Sequence, residues 1–182
     1  MDQTTIPIDE AGITPSASEA NLRDLQPVPE GTIVVGHDGS AESDGALTVA
    51  LDLAHRLAAP LVIVRCWTID DKLAVFRNAD GTILSFTEVT GIVRARLTAE
   101  LAERVAEHPE LVVHYRSALA QPGELLESLS ADALMLVVGS RGRGKITGFM
   151  LGSVSNHCVH HAPCPVLVVP PRDRRHLPHH DL

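Results

Sequence analysis

Five short apolar runs, separated by stretches with helical periodicity, constrain the fold of this chain more than any other feature. The runs are rich in Val, Ile and Leu and cover residues 32–36, 61–66, 111–115, 134–138 and 165–169. The helical stretches between them cover residues 44–58, 88–107, 122–129 and 152–161. Strands that alternate with helices form a parallel sheet with right-handed crossovers. We therefore predict an α/β fold with a five-stranded parallel sheet, order 3-2-1-4-5, and helices on both faces.

The first two helical stretches are amphipathic, which predicts the side chains that face the sheet. The apolar stripe of the first stretch runs from Ala46 to Leu57, and that of the second includes Val89, Ile92 and Leu101. We expect these side chains to be buried.

The two ends of the chain differ in composition from this alternating segment. Residues 1–29 are rich in Thr, Ser, Pro and acidic residues without a sustained period, which predicts a flexible acidic leader. Residues 30–171 form the predicted domain, and residues 172–182 form a polar, histidine-rich tail. Within the domain, residues 68–87 have mixed character with a turn signal at 78–81, and we interpret them as a long surface loop.

Charge and hydropathy exclude several classes of partner. The formal net charge is -8, which disfavours binding to nucleic acid or to acidic membrane surfaces. No apolar run approaches the ~18 residues that span a membrane. The three cysteines have no paired spacing, which fits a reducing compartment, and no signal peptide is recognisable at the start. We expect a soluble cytoplasmic protein.

Two glycine-bearing loops are predicted to meet at one edge of the sheet. In such sheets a ligand binds at the carboxyl ends of the strands, where the winding reverses, which here lies between strands one and four. Strand one ends in Gly36-His37-Asp38-Gly39-Ser40, and strand four ends in Gly139-Ser140-Arg141-Gly142. The convergence of these loops predicts a ligand site.

The second loop and the helix after it have the features of a phosphate site. Glycines at 139, 142, 144, 148 and 152 allow positive φ and a close backbone approach to a ligand. Gly152-Ser153 stands where the next helix begins, so free N–H groups and the positive dipole end would face an anion. The alternative is a glycine-rich surface turn with a serine cap.

Asp38 has two possible roles. A carboxylate beside phosphates is favourable when it binds a ribose hydroxyl or a metal, so we consider it an acceptor for ribose or a ligand for Mg²⁺. The alternative is an Asx-turn in Asp38-Gly39-Ser40 that caps the first helix, and both roles can hold together.

Three other patterns are rejected as the main chemistry. Residues 139–145 match a P-loop as far as Lys145, but Ile146 stands where Ser or Thr must hold Mg²⁺. Arg141, Arg143 and Lys145 remain candidates either to neutralise phosphate or to be solvated surface charges. The spacing of His157 and His161 permits a metal, yet no second ligand pair is evident, and the dipole end of the helix explains these histidines better. No nucleophile with a base and an acid is apparent, so an efficient enzyme is not expected.

These residues resemble the universal stress protein family, of the nucleotide-binding type. The family signature is Gly, two residues, Gly, nine residues, Gly, then Ser or Thr, and Gly139, Gly142 and Gly152-Ser153 match it. The resemblance covers about residues 31–170 and includes Asp38-Gly39-Ser40 and the closing segment 161–169.

The resemblance implies a Rossmann-like sheet, usually a homodimer through the last strand, and an adenine nucleotide, ATP with Mg²⁺, at the predicted site. It implies that Asp38 lies at the site, that the backbone at Cys66 meets the adenine, and that His37 departs from the small or aliphatic residue common there. The residues assigned to nucleotide binding are Asp38, Gly39, Ser40, Cys66, Gly139, Ser140, Arg141, Gly142, Arg143, Gly152, Ser153, Val154 and Ser155, with Asp38 as the metal ligand.

Three functions follow as hypotheses. The first is an ATP-binding regulatory protein of the stress-response type. The second is a nucleotide-free dimeric interaction module, suggested by the leader and by the apolar last strand, whose exposed edge invites pairing. The third is a weak ATPase, for which phosphate release that vanishes in Asp38→Ala is the test.

Overall fold

A computed structural model describes residues 24–68, 84–142 and 151–171 of the chain. The strands are β1 Ile33–Gly36, β2 Leu61–Trp67, β3 Val113–Leu119, β4 Met135–Gly139 and β5 Val166–Val169. The helices that connect them are α1 Ala41–Leu57, α2 Phe86–Ala106, α3 Pro122–Leu129 and α4 Ser153–His161.

The strands form one parallel sheet in the order β3-β2-β1-β4-β5. Ile33 of β1 lies opposite Leu61 of β2 and opposite Met135 of β4, so β1 is paired along both edges. The predicted strand order is confirmed. Because the chain passes from β3 at one edge back to β4 beside β1, its winding reverses between β1 and β4.

The sheet separates two apolar layers. Ile33 and Val35 of β1 face a layer that contains α1 and α2, whereas Val34 faces a layer that contains α3 and α4. Side chains alternate across a strand, so a strand covered on both sides must be apolar throughout. This burial is the physical reason that β1 and β2 have almost unbroken apolar sequences.

The predicted buried faces of the first two helices are correct near the middle of each helix, but two residues predicted to be buried are exposed. Residues from Ala46 to Ala54 on the α1 stripe are buried, but Leu57 is exposed because the helix ends there and Ala58 turns into the left-handed region. In α2 the buried arc passes through Val89, Thr90, Leu97 and Leu101, which leaves Ile92 outside it and exposed.

Several predicted boundaries are also shifted. Helix α1 begins at Ala41 rather than at residue 44, because Ser40 caps it before its apolar stripe starts. Helix α2 begins at Phe86, inside the predicted loop 68–87, where Ser85 and Glu88 form a capping box. Residues 69–83 of that loop lie outside the described residues.

Strand β3 runs from Val113 to Leu119 rather than over 111–115. The sequence did not indicate the longer strand because the second half of β3 contains polar residues. One of them, Ser117, is buried and donates a hydrogen bond to the Thr90 carbonyl. The strand pairs with β2 over its whole length.

Residues 24–29, the last part of the predicted leader, pack against the domain. Asp24 is buried and forms an ion pair with Arg94, at 2.7 Å. Val28 is buried too, and its N–H donates to the Leu129 carbonyl at 2.9 Å. Residues 1–23 of the leader and the tail 172–182 lie outside the described residues. Of the helices in the part of the chain that the structure describes, none is long and apolar enough to cross a membrane.

Two leucines near β4 provide a matched test of the core. Leu136 is completely buried, whereas Leu134 is 41% exposed. We expect Leu136→Ala to lower the free energy of unfolding by about 2–5 kcal/mol, because it removes buried methyl groups and leaves a cavity. Leu134→Ala should change it by less than about 1 kcal/mol. Urea unfolding measures both, and equal losses would contradict this packing.

Candidate functional site

A cleft opens at the carboxyl ends of β1 and β4, where the winding reverses. It encloses about 820 Å³, including space open to solvent. Its walls come from β1, β2, β4, the loops after β1 and β4, and the helices α1, α3 and α4. The lining residues are Gly36, His37, Asp38, Ser43, Val64, Cys66, Pro122, Leu126, Val138, Gly139, Arg141, Gly142, Gly152, Ser153, Val154 and Ser155.

The loop after β1 is held by the Asp38 side chain. Oδ1 of Asp38 accepts hydrogen bonds from the N–H of Ser40 at 3.0 Å and from its hydroxyl at 2.6 Å. Gly39, between them, has a φ of 84°. The Ser40 hydroxyl in turn accepts from the N–H of Ser43 and caps α1. The Asx-turn and cap considered for Asp38 are therefore present, and the side chain also lines the cleft.

The second oxygen of Asp38 faces the loop after β4. A Cβ atom added to Gly142 would lie 2.8 Å from Asp38 Oδ2, closer than real Cβ contacts allow. The absence of a side chain at 142 is therefore what lets the backbone of this loop approach the carboxylate. Two segments separated by about a hundred residues of sequence meet at this contact.

Ser140 joins the loop after β4 to its neighbours. Its N–H donates to the Val169 carbonyl of β5 at 2.8 Å, and its carbonyl accepts from the N–H of Gly152 at 2.8 Å. The hydroxyl of Ser155 is buried and lies 3.1 Å from the same carbonyl. Ser140, Gly152 and Ser155 therefore hold the loop against the start of α4.

The start of α4 presents backbone donors to the cleft. Gly152 is the N-cap residue, and its carbonyl accepts the first helical hydrogen bond, from the N–H of Asn156 at 2.9 Å. The N–H groups of Ser153, Val154 and Ser155 consequently have no partner within the helix. With the positive end of the helix dipole, they form a site suited to an anion.

A polar network with His37 and Arg65 buried at its centre lies behind the cleft. Arg65 of β2 donates through Nη2 to Nδ1 of His37 at 2.8 Å and through Nη1 to Glu100 of α2 at 2.6 Å. Because arginine only donates, Nδ1 of His37 is the acceptor and Nε2–H donates to Asp44 Oδ1, at 3.1 Å. Arg104 binds the same Asp44 oxygen at 2.7 Å.

The network keeps the His37 imidazole neutral. Burial lowers the pKa of His37, and the nearby Arg65 guanidinium lowers it further, while the hydrogen bond to Asp44 acts in the opposite direction. A second ring proton would have to point at the guanidinium. The charge at this edge of the cleft therefore comes from Asp38 rather than from His37.

Cys66 lines the cleft and packs against an apolar cluster that includes Val64 and Leu126, and its side chain is partly covered. Burial raises the pKa of its thiol to about 12, so the sulfur stays protonated at neutral pH. A protonated thiol is a poor nucleophile and metal ligand. Any role of Cys66 here belongs to its backbone and to its apolar surface.

The structure brings most of the sequence-predicted residues together. The cleft is lined by Asp38, by Cys66 and by most of the predicted residues of the two glycine-bearing segments. The exceptions are Gly39, Ser40 and Ser140, which shape the turns around the cleft. Arg143 lies outside the described residues. Sequence reasoning missed Arg65, although a charge inside an apolar strand signals a buried partner. It also missed Pro122 and Leu126 of α3, which carry no local motif.

Comparison with known proteins decides the family. Residues 31–170 match the model of the universal stress protein family. The chain belongs to this family. A universal stress protein of Mycobacterium tuberculosis is 35% identical over 152 residues, which cover 84% of this chain and 48% of that protein. One from Mycolicibacterium smegmatis is 37% identical over 140 residues, covering 77% and 46% respectively. The chain spans about half the length of these curated relatives.

Solved universal stress proteins share the Rossmann-like α/β fold. UspA from Lactobacillus plantarum superposes with a TM-score of 0.59 at 20% identity, covering 78% of this chain and 99% of that one. A universal stress protein described in complex with cAMP has a TM-score of 0.55 at 24% identity, covering 79% and 99%. These similarities show that the fold is shared. The geometry of the cleft described above comes from the residues of this chain alone.

The buried His37 generates a pH dependence of stability. Its pKa is lower in the folded than in the unfolded chain, so its contribution is complete above the ordinary histidine pKa of about 6.5 and declines below it. We expect His37→Gln to make the fall in unfolding free energy between about pH 7 and pH 5 shallower, by at most about 1.4 kcal/mol per pH unit. Urea unfolding at several pH values measures this slope, with the exposed His160→Gln as control. Equal slopes for wild type and His37→Gln would show that His37 is not the cause.

Proposed function

We propose that this chain is an ATP-binding regulatory protein of the stress response, with the nucleotide in the cleft between β1 and β4. The observation that carries the proposal is the meeting of Asp38 with the backbone of Gly142 beside the start of α4. The cleft combines three features that suit the binding of a ribose and its phosphates. They are a carboxylate, a backbone without a side chain at Gly142, and N–H groups that have no partner within the helix.

The cleft is lined by both apolar and polar groups, as a nucleotide site requires. Val64, Leu126 and Val138 give an apolar wall near Cys66, suited to the faces of a purine. Ser153 and Val154 line the same cleft, and their N–H groups at the start of α4 supply donors that suit phosphates. Arg141 lines the same cleft and supplies positive charge.

The donor set also fits Mg²⁺ that accompanies the nucleotide. Mg²⁺ in nucleotide sites is held by one or two carboxylates, waters and the phosphates themselves. Among the described residues that line the cleft, Asp38 supplies the carboxylate, and Ser40 occupies one of its oxygens. We therefore assign Asp38 to the metal or to a ribose hydroxyl. The cAMP complex of a protein with this fold makes adenine nucleotides the ligand class to test first.

Gly142→Val provides the sharpest test of binding. Its side chain would push into the Asp38 carboxylate and the space beside it, so we expect at least about tenfold weaker binding of ATP and Mg²⁺ by calorimetry, equal to about 1.4 kcal/mol. Gly45→Ala, whose added Cβ meets nothing within 4 Å, is the matched control and should bind like wild type.

Two results would contradict this proposal. One is the lack of binding by the wild-type chain at millimolar ATP with Mg²⁺. The other is a Gly142→Val variant that remains folded by circular dichroism and binds ATP with wild-type affinity.

A second candidate function, a dimeric interaction module, rests on β5. In parallel pairing, alternate residues direct their backbone groups to the same neighbour. The Pro165 carbonyl accepts a hydrogen bond from Leu136 of β4 and the Val169 carbonyl accepts one from Ser140 just after β4. The backbone groups of Val166 and Val168 therefore point to the outer edge. Among the described strands none pairs with that edge. An apolar strand with an open edge favours pairing with a second copy.

The open edge gives a direct test of the dimer. Val168→Pro removes an outward N–H without removing a hydrogen bond to β4, so we expect it to shift the chain from dimer to monomer in sedimentation velocity. A wild-type chain that is monomeric at all accessible concentrations, or an equally dimeric variant, would argue against pairing through β5.

A further inference from the structure

Two histidines and a glutamate lie close together near the amino ends of the strands, at the opposite end of the sheet from the cleft. His55 lies in the last turn of α1, while His108 and Glu110 lie in the connection between α2 and β3. A helix that follows a strand in this fold runs antiparallel to that strand. The last turn of α1 therefore lies at the opposite end of the strands from Asp38. The cluster is therefore separate from the proposed nucleotide site and does not depend on it.

The ligand atoms of the three side chains are close enough for one ion. Nδ1 of His55 lies 2.6 Å from Oε1 of Glu110, and Nδ1 of His108 lies 3.9 Å from the same oxygen. One donor atom from each side chain lies within 4.8 Å of the others. Tetrahedral zinc with bonds of about 2.0–2.2 Å separates its ligands by roughly 3.3 Å. The observed contacts of 2.6 and 3.9 Å lie on either side of this separation.

The backbone under these side chains is fixed by hydrogen bonds. The N–H of His108 donates to the Val105 carbonyl at 2.9 Å, and the N–H of Leu111 donates to the His108 carbonyl at 3.0 Å. On the α1 side, the carbonyl of His55 accepts from Ala58 at 3.2 Å. Val105 and Leu111 also pack against the main core, which anchors both sides of the turn. The ligands are therefore held near one another before any metal arrives.

The chemistry of the donors selects the kind of ion. We propose that His55, His108 and Glu110 bind one Zn²⁺ ion through two imidazole nitrogens and one carboxylate oxygen. Mg²⁺ and Ca²⁺ prefer oxygen ligands throughout, whereas two imidazoles with one carboxylate form a typical zinc donor set. All three side chains reach solvent, so a water molecule completes the coordination.

The competing explanation is a surface ion pair between His55 and Glu110 with His108 nearby. Such exposed pairs contribute only about 0–1 kcal/mol. The two explanations differ in what the third residue does, because an ion pair does not need His108. A bound ion would also cross-link the end of α1 to the α2–β3 connection, 55 residues further along the chain, and stabilise the fold by mass action.

Calorimetric titration of the full chain with zinc chloride tests the site. We expect one Zn²⁺ per chain at micromolar concentrations, with Glu110→Gln and His108→Asn each weakening this binding at least about tenfold, as even changes next to metal ligands do. Zinc should raise the Tm of the wild type and not that of His108→Asn. An excess of Mg²⁺ should not displace the zinc.

Other histidines of the chain supply the controls. His160→Asn removes an exposed histidine of α4, and a triple variant with His176→Asn, His179→Asn and His180→Asn removes those of the tail. Both should keep the site and the zinc-dependent rise in Tm. The proposal is overturned if the wild type binds no zinc at micromolar concentrations, if His108→Asn and Glu110→Gln bind it like wild type, or if the tail variant loses it.

Discussion

Parallel pairing of β1 with both β2 and β4 is the constraint on which the rest of the structure depends. Because β1 is the central strand, its side chains are covered on both faces, and its sequence is apolar until it reaches Gly36. The chain winds outward from β1 in one direction to β3 and in the other to β5. The connections after β1 and β4 consequently leave on opposite faces, and the space between them becomes the cleft.

Local interactions turn this space into a defined site. Asp38 shapes its own turn with one oxygen and faces Gly142 with the other, so one side chain joins the two loops. Ser140 couples the second loop to β5 and α4 through its N–H and carbonyl groups. Behind them, Arg65 and the neutral His37 form a buried layer that orients the first turn of α1. The donors at the start of α4 therefore face a space that is already shaped for an anion next to a carboxylate.

Sequence patterns predicted the strand order and most of the cleft because each depends on short, regular signals. Alternating strands and helices determine the topology, and the glycine spacing from 139 to 152 marks the second loop. Features that depend on tertiary contacts were not predictable in this way. The extent of β3 depends on a buried Ser117 that bonds to α2, and the contribution of Leu126 depends on how α3 packs. His55 and Glu110 likewise come into contact only because the last turn of α1 and the α2–β3 connection lie at the same end of the sheet.

A structure of the full chain determined with ATP and Mg²⁺ tests most directly whether the cleft between β1 and β4 binds the nucleotide. We expect the adenine beside the backbone of Cys66 and the phosphates at the N–H groups of Ser153 and Val154, next to Gly142. A nucleotide bound elsewhere on the chain, or an empty cleft at ATP concentrations that saturate binding in solution, would contradict this expectation.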